Sequence, residues 1–178
     1  MEVLEAYRFL KPICELTTVC GRTKVQKIFY LLQAAGYPAG IDYFLHYYGP
    51  YSETLSSYLA WAGQQDLVEE TCVTLSAEAV RCDYSATPEA TQLVDSLQKV
   101  VESAEVETVS RYCEFARQLN KESSTVLELA ATIAYFVRDR GCQLSEACAK
   151  TKTFKPNKAK PADMDTAKAI AESALQFN

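Results

Sequence analysis

The chain has 178 residues, 48% of them hydrophobic and 23% charged, which suits one globular unit that buries a real core. A formal net charge of -5 argues against a whole surface given over to polyanions, though not against a local basic patch. No apolar run approaches the roughly 18–20 residues of a membrane span.

The opening MEVLEAYRFLKPICEL starts acidic and lacks the basic-then-apolar order of a secretory leader, so a cytoplasmic protein is expected. Within residues 3–19, Val3, Leu4, Tyr7, Leu10, Ile13, Cys14 and Leu16 recur at helical spacing. Pro12 lies inside that pattern and is expected to kink or split the helix. In GRTKVQKIFY, Gly21 punctuates and Thr23 is the candidate N-cap of a second helix running to about Ala35. Its apolar stripe is Val25, Ile28, Phe29, Leu31 and Leu32, which puts Lys24, Gln26, Lys27 and Gln33 on its other faces.

Residues 42–48, DYFLHYY, are aromatic and suit a short strand that Gly49-Pro50 ends. Ser52 followed by Glu53 opens a third helix, YSETLSSYLAWAGQQ. LVEETCVTL and AVRCDYSAT then alternate as a β-hairpin turning near Ser76-Ala77-Glu78. Three helices and a hairpin are the order of a winged helix-turn-helix. Beyond it the chain reads as helical. Pro88 opens a helix to about Ala104, and a second spans about Glu105 to Leu119. A long helix runs from Ser123 or Ser124 to Gly141, and a short one is seeded by Ser145. The Lys/Pro-rich TKTFKPNKAKPAD leads to a last helix over Met164–Phe177. The expected fold is therefore mainly α. A winged-helix-like region (1–87) carries a helical extension (88–178) packed on it as a single unit.

Chemistry-bearing motifs are sparse. The chain has one histidine, His46, and no phosphate-cradling, nucleophile-elbow or metalloprotease motif, so a non-enzyme without cofactor is expected. Seven cysteines without a Cys-x-x-Cys pair make a metal site improbable. Most of them read as buried thiols. Cys72 and Cys82 face each other across the expected hairpin, but a disulfide between them is the disfavoured reading.

A helix-turn-helix reads DNA with its second motif helix. That helix, YSETLSSYLAWAGQQ, holds no Lys or Arg. From Tyr51 to Lys99 the only cations are Arg81 and Lys99 itself, against eight acids. Without cations a helix gains little from counterion release, so nucleic acid is disfavoured. Two basic clusters remain: Arg22, Lys24 and Lys27, and a strip of Lys152, Lys155, Lys158 and Lys160 that reads as a solvated linker or a contact for an acidic partner. Tyr43, Tyr47, Tyr48, Tyr51 and Tyr58 fall within sixteen residues. Tyrosine is enriched at interface hot spots, and some of these are expected to be exposed.

Two blocks, KVQKIFYLL (24–32) and FLHYYGPYSE (44–53), resemble the paired motifs of YwgA-like proteins, small and often phage-associated. More distantly they resemble the Panacea domain and SocA-type antitoxins. VLELAATI (126–133) and Lys155-Pro156 are similar to the later part of the YwgA-like pattern. The tyrosine-heavy YYGPYSE and the long C-terminal extension depart from the Panacea pattern.

The resemblance implies a helical, winged-helix-like body that binds a protein, a toxin or a defence component, without catalysis. The expected contact residues are Arg22, Lys24, Gln26, Lys27, His46, Tyr47, Tyr48, Tyr51 and Glu53. The alternative is a transcriptional regulator or nucleic-acid-binding adaptor that uses the basic clusters. No membrane partner is expected, and a homo-oligomer is left open.

Overall fold

The computed structural model describes residues 2–76 and 79–177. It is mainly helical with a small antiparallel sheet. No described helix is long and apolar enough to cross a membrane.

Helix α1 spans Val3–Cys14 and remains one helix through the buried Pro12. A proline lacks the N–H that would bond the carbonyl four residues back. That carbonyl, on Arg8, accepts instead from the Tyr37 hydroxyl at 2.6 Å. The expected split at Pro12 is thus corrected by a tertiary partner. The helix also stops earlier than residue 19, because Val19–Cys20 form strand β1.

Helix α2 (Arg22–Ala34) starts after Gly21, not at a Thr23 cap. Gly21 has φ 98°, a conformation that costs a side chain dearly. Every residue from Lys24 to Leu32 is buried, so α2 has no solvated basic face along that stretch. This corrects the expectation of a helix with polar residues turned outward.

Strands β2 (Phe44–His46) and β3 (Gly49–Tyr51) form a hairpin turning at Tyr47-Tyr48. Gly49-Pro50 begins the return strand and does not simply end the first one. Helix α3 (Glu53–Gln64) is capped by Ser52, whose Oγ accepts from the Leu55 N–H at 3.1 Å. Strands β4 (Val68–Ser76) and β5 (Ala79–Ala86) pair as expected, and β1 adds to β5, giving the order β1-β5-β4. The expected turn residues Ala77 and Glu78 lie outside the described residues.

The remaining helices are α4 (Pro88–Gln98), α5 (Ser103–Asn120), α6 (Ser124–Arg138), α7 (Leu144–Phe154) and α8 (Pro161–Leu175). Thr87 caps α4 with Pro88 in its first turn, and Ser123 caps α6. Helix α6 is buried from Val126 to Tyr135 and packs on α2, α7, α8 and β3. One apolar core runs through both sides of residues 87–88, with Leu31 and Leu55 in the same cluster as Leu127 and Ala167.

Candidate functional site

Helix α2 holds the segment that follows it with two glutamines two turns apart. Gln33 Nε2 donates to the Ile41 carbonyl at 2.7 Å, and its Oε1 accepts from the Ile41 N–H at 2.9 Å. Gln26 does the same to Ser52, with both bonds at 2.9 Å, and also donates to Ser56 Oγ at 3.0 Å. A primary amide is the side chain that can donate and accept in this paired way.

Lys27, next to Gln26, donates to the Pro50 carbonyl at 2.6 Å and is only 1% exposed. Gly49 lies against α6: a Cβ there would come within 2.8 Å of Thr132 Oγ1. Its φ of 85° independently favours glycine. The blocks KVQK and YGPYSE therefore occur together because one positions the backbone of the other.

Below the hairpin lies a buried carboxylate, Glu128 of α6. Lys155 is 2.8 Å from its Oε1 and Lys158 is 2.7 Å from its Oε2. Lys155 also donates to the Tyr47 carbonyl, so the turn is tied down from underneath. Its ammonium lies 5.1 Å from the Tyr47 ring centroid and 4.8 Å from that of Phe154. Lys158 lies 5.3 Å from the Tyr48 ring. These are cation–π distances.

Three lysines thus surround one carboxylate. Burial pushes the Lys27 amine down to about 7, with Glu128 opposing and Lys155 and Lys158 reinforcing the shift. Burial lowers Lys155 as well, against the pull of Glu128.

A cleft of about 1020 Å³ opens beside Lys27, between α2, the β2–β3 hairpin, α3 and the larger sheet. His46, Tyr48 and Tyr51 line one side and Glu69 and Glu70 another. Tyr51 shares a 2.9 Å hydrogen bond with Ser56. His46 is exposed, its ring 5.8 Å from that of Tyr48 and 5.7 Å from that of Tyr51.

The structure brings together most of the residues expected at a contact site, but with different orientations. Tyr47 and Tyr48 are 68% and 49% exposed, beside Phe44 at 45%. Glu53 is exposed in the first turn of α3. Lys24, Gln26 and Lys27 are buried, and Lys24 donates to the Asn120 carbonyl at 2.5 Å. Arg22 is on the surface and paired with Glu70 at 2.6 Å. In the expected lysine strip, Lys152 and Lys160 are exposed, Lys158 is half-buried and Lys155 is buried. A uniformly solvated linker is therefore incorrect: two of its lysines neutralise a core carboxylate. Motif reasoning does not single out Glu128, although an acid inside the apolar run VLELAATI is its signal.

Cys72 and Cys82 are joined by a disulfide, a correction to the free-thiol reading. Direct opposition in the β4–β5 register brings them together. Glu70 and these two sulfurs lie within 4.8 Å of one another, but a disulfide offers no thiolate to a metal, and Glu70 is engaged by Arg22 and Tyr84. Burial pushes the Cys14 thiol up to about 11 and Cys113 up to about 12, which suits packed, unreactive sulfur.

Neither a family model nor a curated protein matches the chain. Fold and site together define a mainly helical protein in which an aromatic hairpin is fixed over a buried lysine–glutamate cluster.

Proposed function

We propose that the protein is a non-enzymatic binding module of prokaryotic or phage origin, antitoxin-like, that captures a toxin or defence component. The observation that carries this reading is the exposure of Tyr47 and Tyr48 on a turn anchored from below by Lys155. Exposed tyrosines on a fixed backbone offer large contact area with little ordering cost on binding.

The order α1-β1-α2-β2-β3-α3-β4-β5, with β1 beside β5 and the β2–β3 hairpin set between α2 and α3, supports a winged-helix-like frame for this surface. Its nucleic-acid use has little support. Helix α3 carries no cation, Arg22 is paired with Glu70 and Arg81 with Asp83. The exposed Lys152 and Lys160 leave a nucleic-acid-binding adaptor as the second reading.

The test is co-purification of the tagged full chain from its native host, beside Tyr47→Ala plus Tyr48→Ala. The reading expects a discrete partner lost in the variant at an unchanged melting temperature. Equal recovery of that partner by both proteins would overturn it, as would recovery of nucleic acid alone with steep salt dependence.

A further inference from the structure

We infer that reduction of the Cys72–Cys82 bridge converts one face of the β4–β5 hairpin into a zinc site, held by both thiolates and the Glu70 carboxylate. This goes beyond the binding role of the aromatic hairpin and does not depend on it.

The register of the two strands carries the geometry. Cys72 stands directly opposite Cys82, and Glu70, two residues earlier on β4, projects from the same face. One ligand atom from each of the three lies within 4.8 Å of the others. Glu70 Oε1 accepts from Arg22 Nε at 2.9 Å, from Arg22 Nη2 at 2.6 Å and from the Tyr84 hydroxyl at 2.8 Å. Among the described residues its Oε2 has no hydrogen-bond donor. The carboxylate is thus oriented through one oxygen with the other left for a cation, which is how outer partners fix a metal-binding carboxylate.

Two thiolates and a carboxylate suit zinc, which takes sulfur and oxygen ligands in tetrahedral array, and they leave a fourth position to water. Their three negative charges balance those of Arg22 and the dication. Cys72 and Glu70 are exposed, so the ion has a path in. No Cys-x-x-Cys spacing announces the pair, because strand pairing brings it together.

In the bridge the two sulfurs are bonded to each other and offer no thiolate. A dithiol reductant supplies two electrons and two protons: the S–S bond breaks, two thiols form, and the dithiol closes to its own disulfide. Zinc then displaces the two thiol protons into solvent as two Zn–S bonds form. Side-chain rotation sets the sulfurs about 3.8 Å apart, as two bonds of about 2.3 Å at a tetrahedral angle require, with the strands still paired.

The experiment uses the intact full chain, reduced with a trialkylphosphine, desalted under nitrogen and titrated with cobalt(II) as the spectroscopic substitute for zinc. The expected result is a thiolate-to-cobalt charge-transfer band that saturates at about one cobalt per chain and is bleached by zinc. The oxidised chain and Cys72→Ser plus Cys82→Ser should give no band. Glu70→Gln should bind about ten-fold or more weakly, with far-ultraviolet circular dichroism matched to the wild type. A second measurement needs no variant: zinc should protect Cys72 and Cys82 of the reduced wild type from alkylation, while the half-buried Cys20 and Cys148 label at unchanged rates. No band from the reduced chain would overturn the inference. So would a band that survives the double serine variant, wild-type affinity in Glu70→Gln, or zinc protection that leaves out Cys72 and Cys82.

Discussion

Gln26 and Ser52 are joined by a two-way amide clamp, 2.9 Å in each direction, across 26 residues of sequence. Ser52 is also the cap of α3, so one side chain of α2 sets both the end of the hairpin and the start of the next helix. Replacing Gln26 by alanine leaves the buried Ser52 N–H without a partner, while the Ser52 carbonyl keeps the Ser56 N–H and hydroxyl. The expected loss is about 1–3 kcal/mol of unfolding free energy, measured by denaturant titration. Gln33→Ala, at a half-buried clamp on Ile41, is expected to cost less. Equal or reversed costs would contradict this ranking.

Gly49 and Gly40 provide a matched pair. Both have positive φ, 85° and 65°, but only Gly49 has a close neighbour in the direction of a Cβ. Gly40→Ala should cost about 1 kcal/mol for the backbone alone. Gly49→Ala adds the overlap with Thr132 and is expected to cost clearly more by the same titration. Similar midpoints for the two variants would show that the hairpin does not press on α6 as described.

The Lys27 amine makes stability depend on pH with a definite sign. Its folded value is about 7, and a lysine of the unfolded chain titrates near about 10.4. Below about 7 both states hold the proton and the burial cost is fully present. Between about 7 and 10 the unfolded state binds more protons, so stability rises with pH, by up to about 1.4 kcal/mol per unit. The raised thiols of Cys14 and Cys113 act in the opposite sense above about 8.5. The expected signature is therefore a rise from about pH 7 to about 8.5 that is steeper in the wild type than in Lys27→Met. Equal slopes would contradict it.

The Cys72–Cys82 bridge closes a short loop, with a sequence separation of 10. Loop entropy assigns such a bridge about 2–3 kcal/mol. Reduction, or Cys72→Ser plus Cys82→Ser, should lower the melting temperature without changing far-ultraviolet helicity. A loss of helical signal at ambient temperature would show that the sheet supports the helical core more than its place at the edge implies.

The helices are legible where local chemistry decides them. Ser52, Ser123 and Pro88 mark helix starts in the sequence, and the structure begins helices there. The hairpin of β4 and β5 follows from alternation in the same way. Local pattern does not show tertiary compensation. Pro12 reads as a kink or a split because the Tyr37 hydroxyl that answers the Arg8 carbonyl comes from a distant segment. Lys24, Gln26 and Lys27 read as surface because their partners, Asn120, Ser52 and Pro50, are equally remote in sequence. Strand β1 has two residues and exists only through its pairing with β5. At the candidate site the tyrosines are legible, whereas the Glu128 cluster that holds their turn is not. Its members come from α2, α6 and the segment after α7, and no local pattern links them.

The most direct measurement places a photo-crosslinking amino acid at Tyr48, and separately at Val100, in the full chain expressed in its native host. Both positions are exposed, Tyr48 at 49% and Val100 at 71%, but only Tyr48 belongs to the anchored hairpin. The expected result is a discrete protein adduct at position 48 and none at position 100. Illumination that gives no adduct at 48, or the same adducts at both positions, would contradict capture of a partner through the aromatic turn.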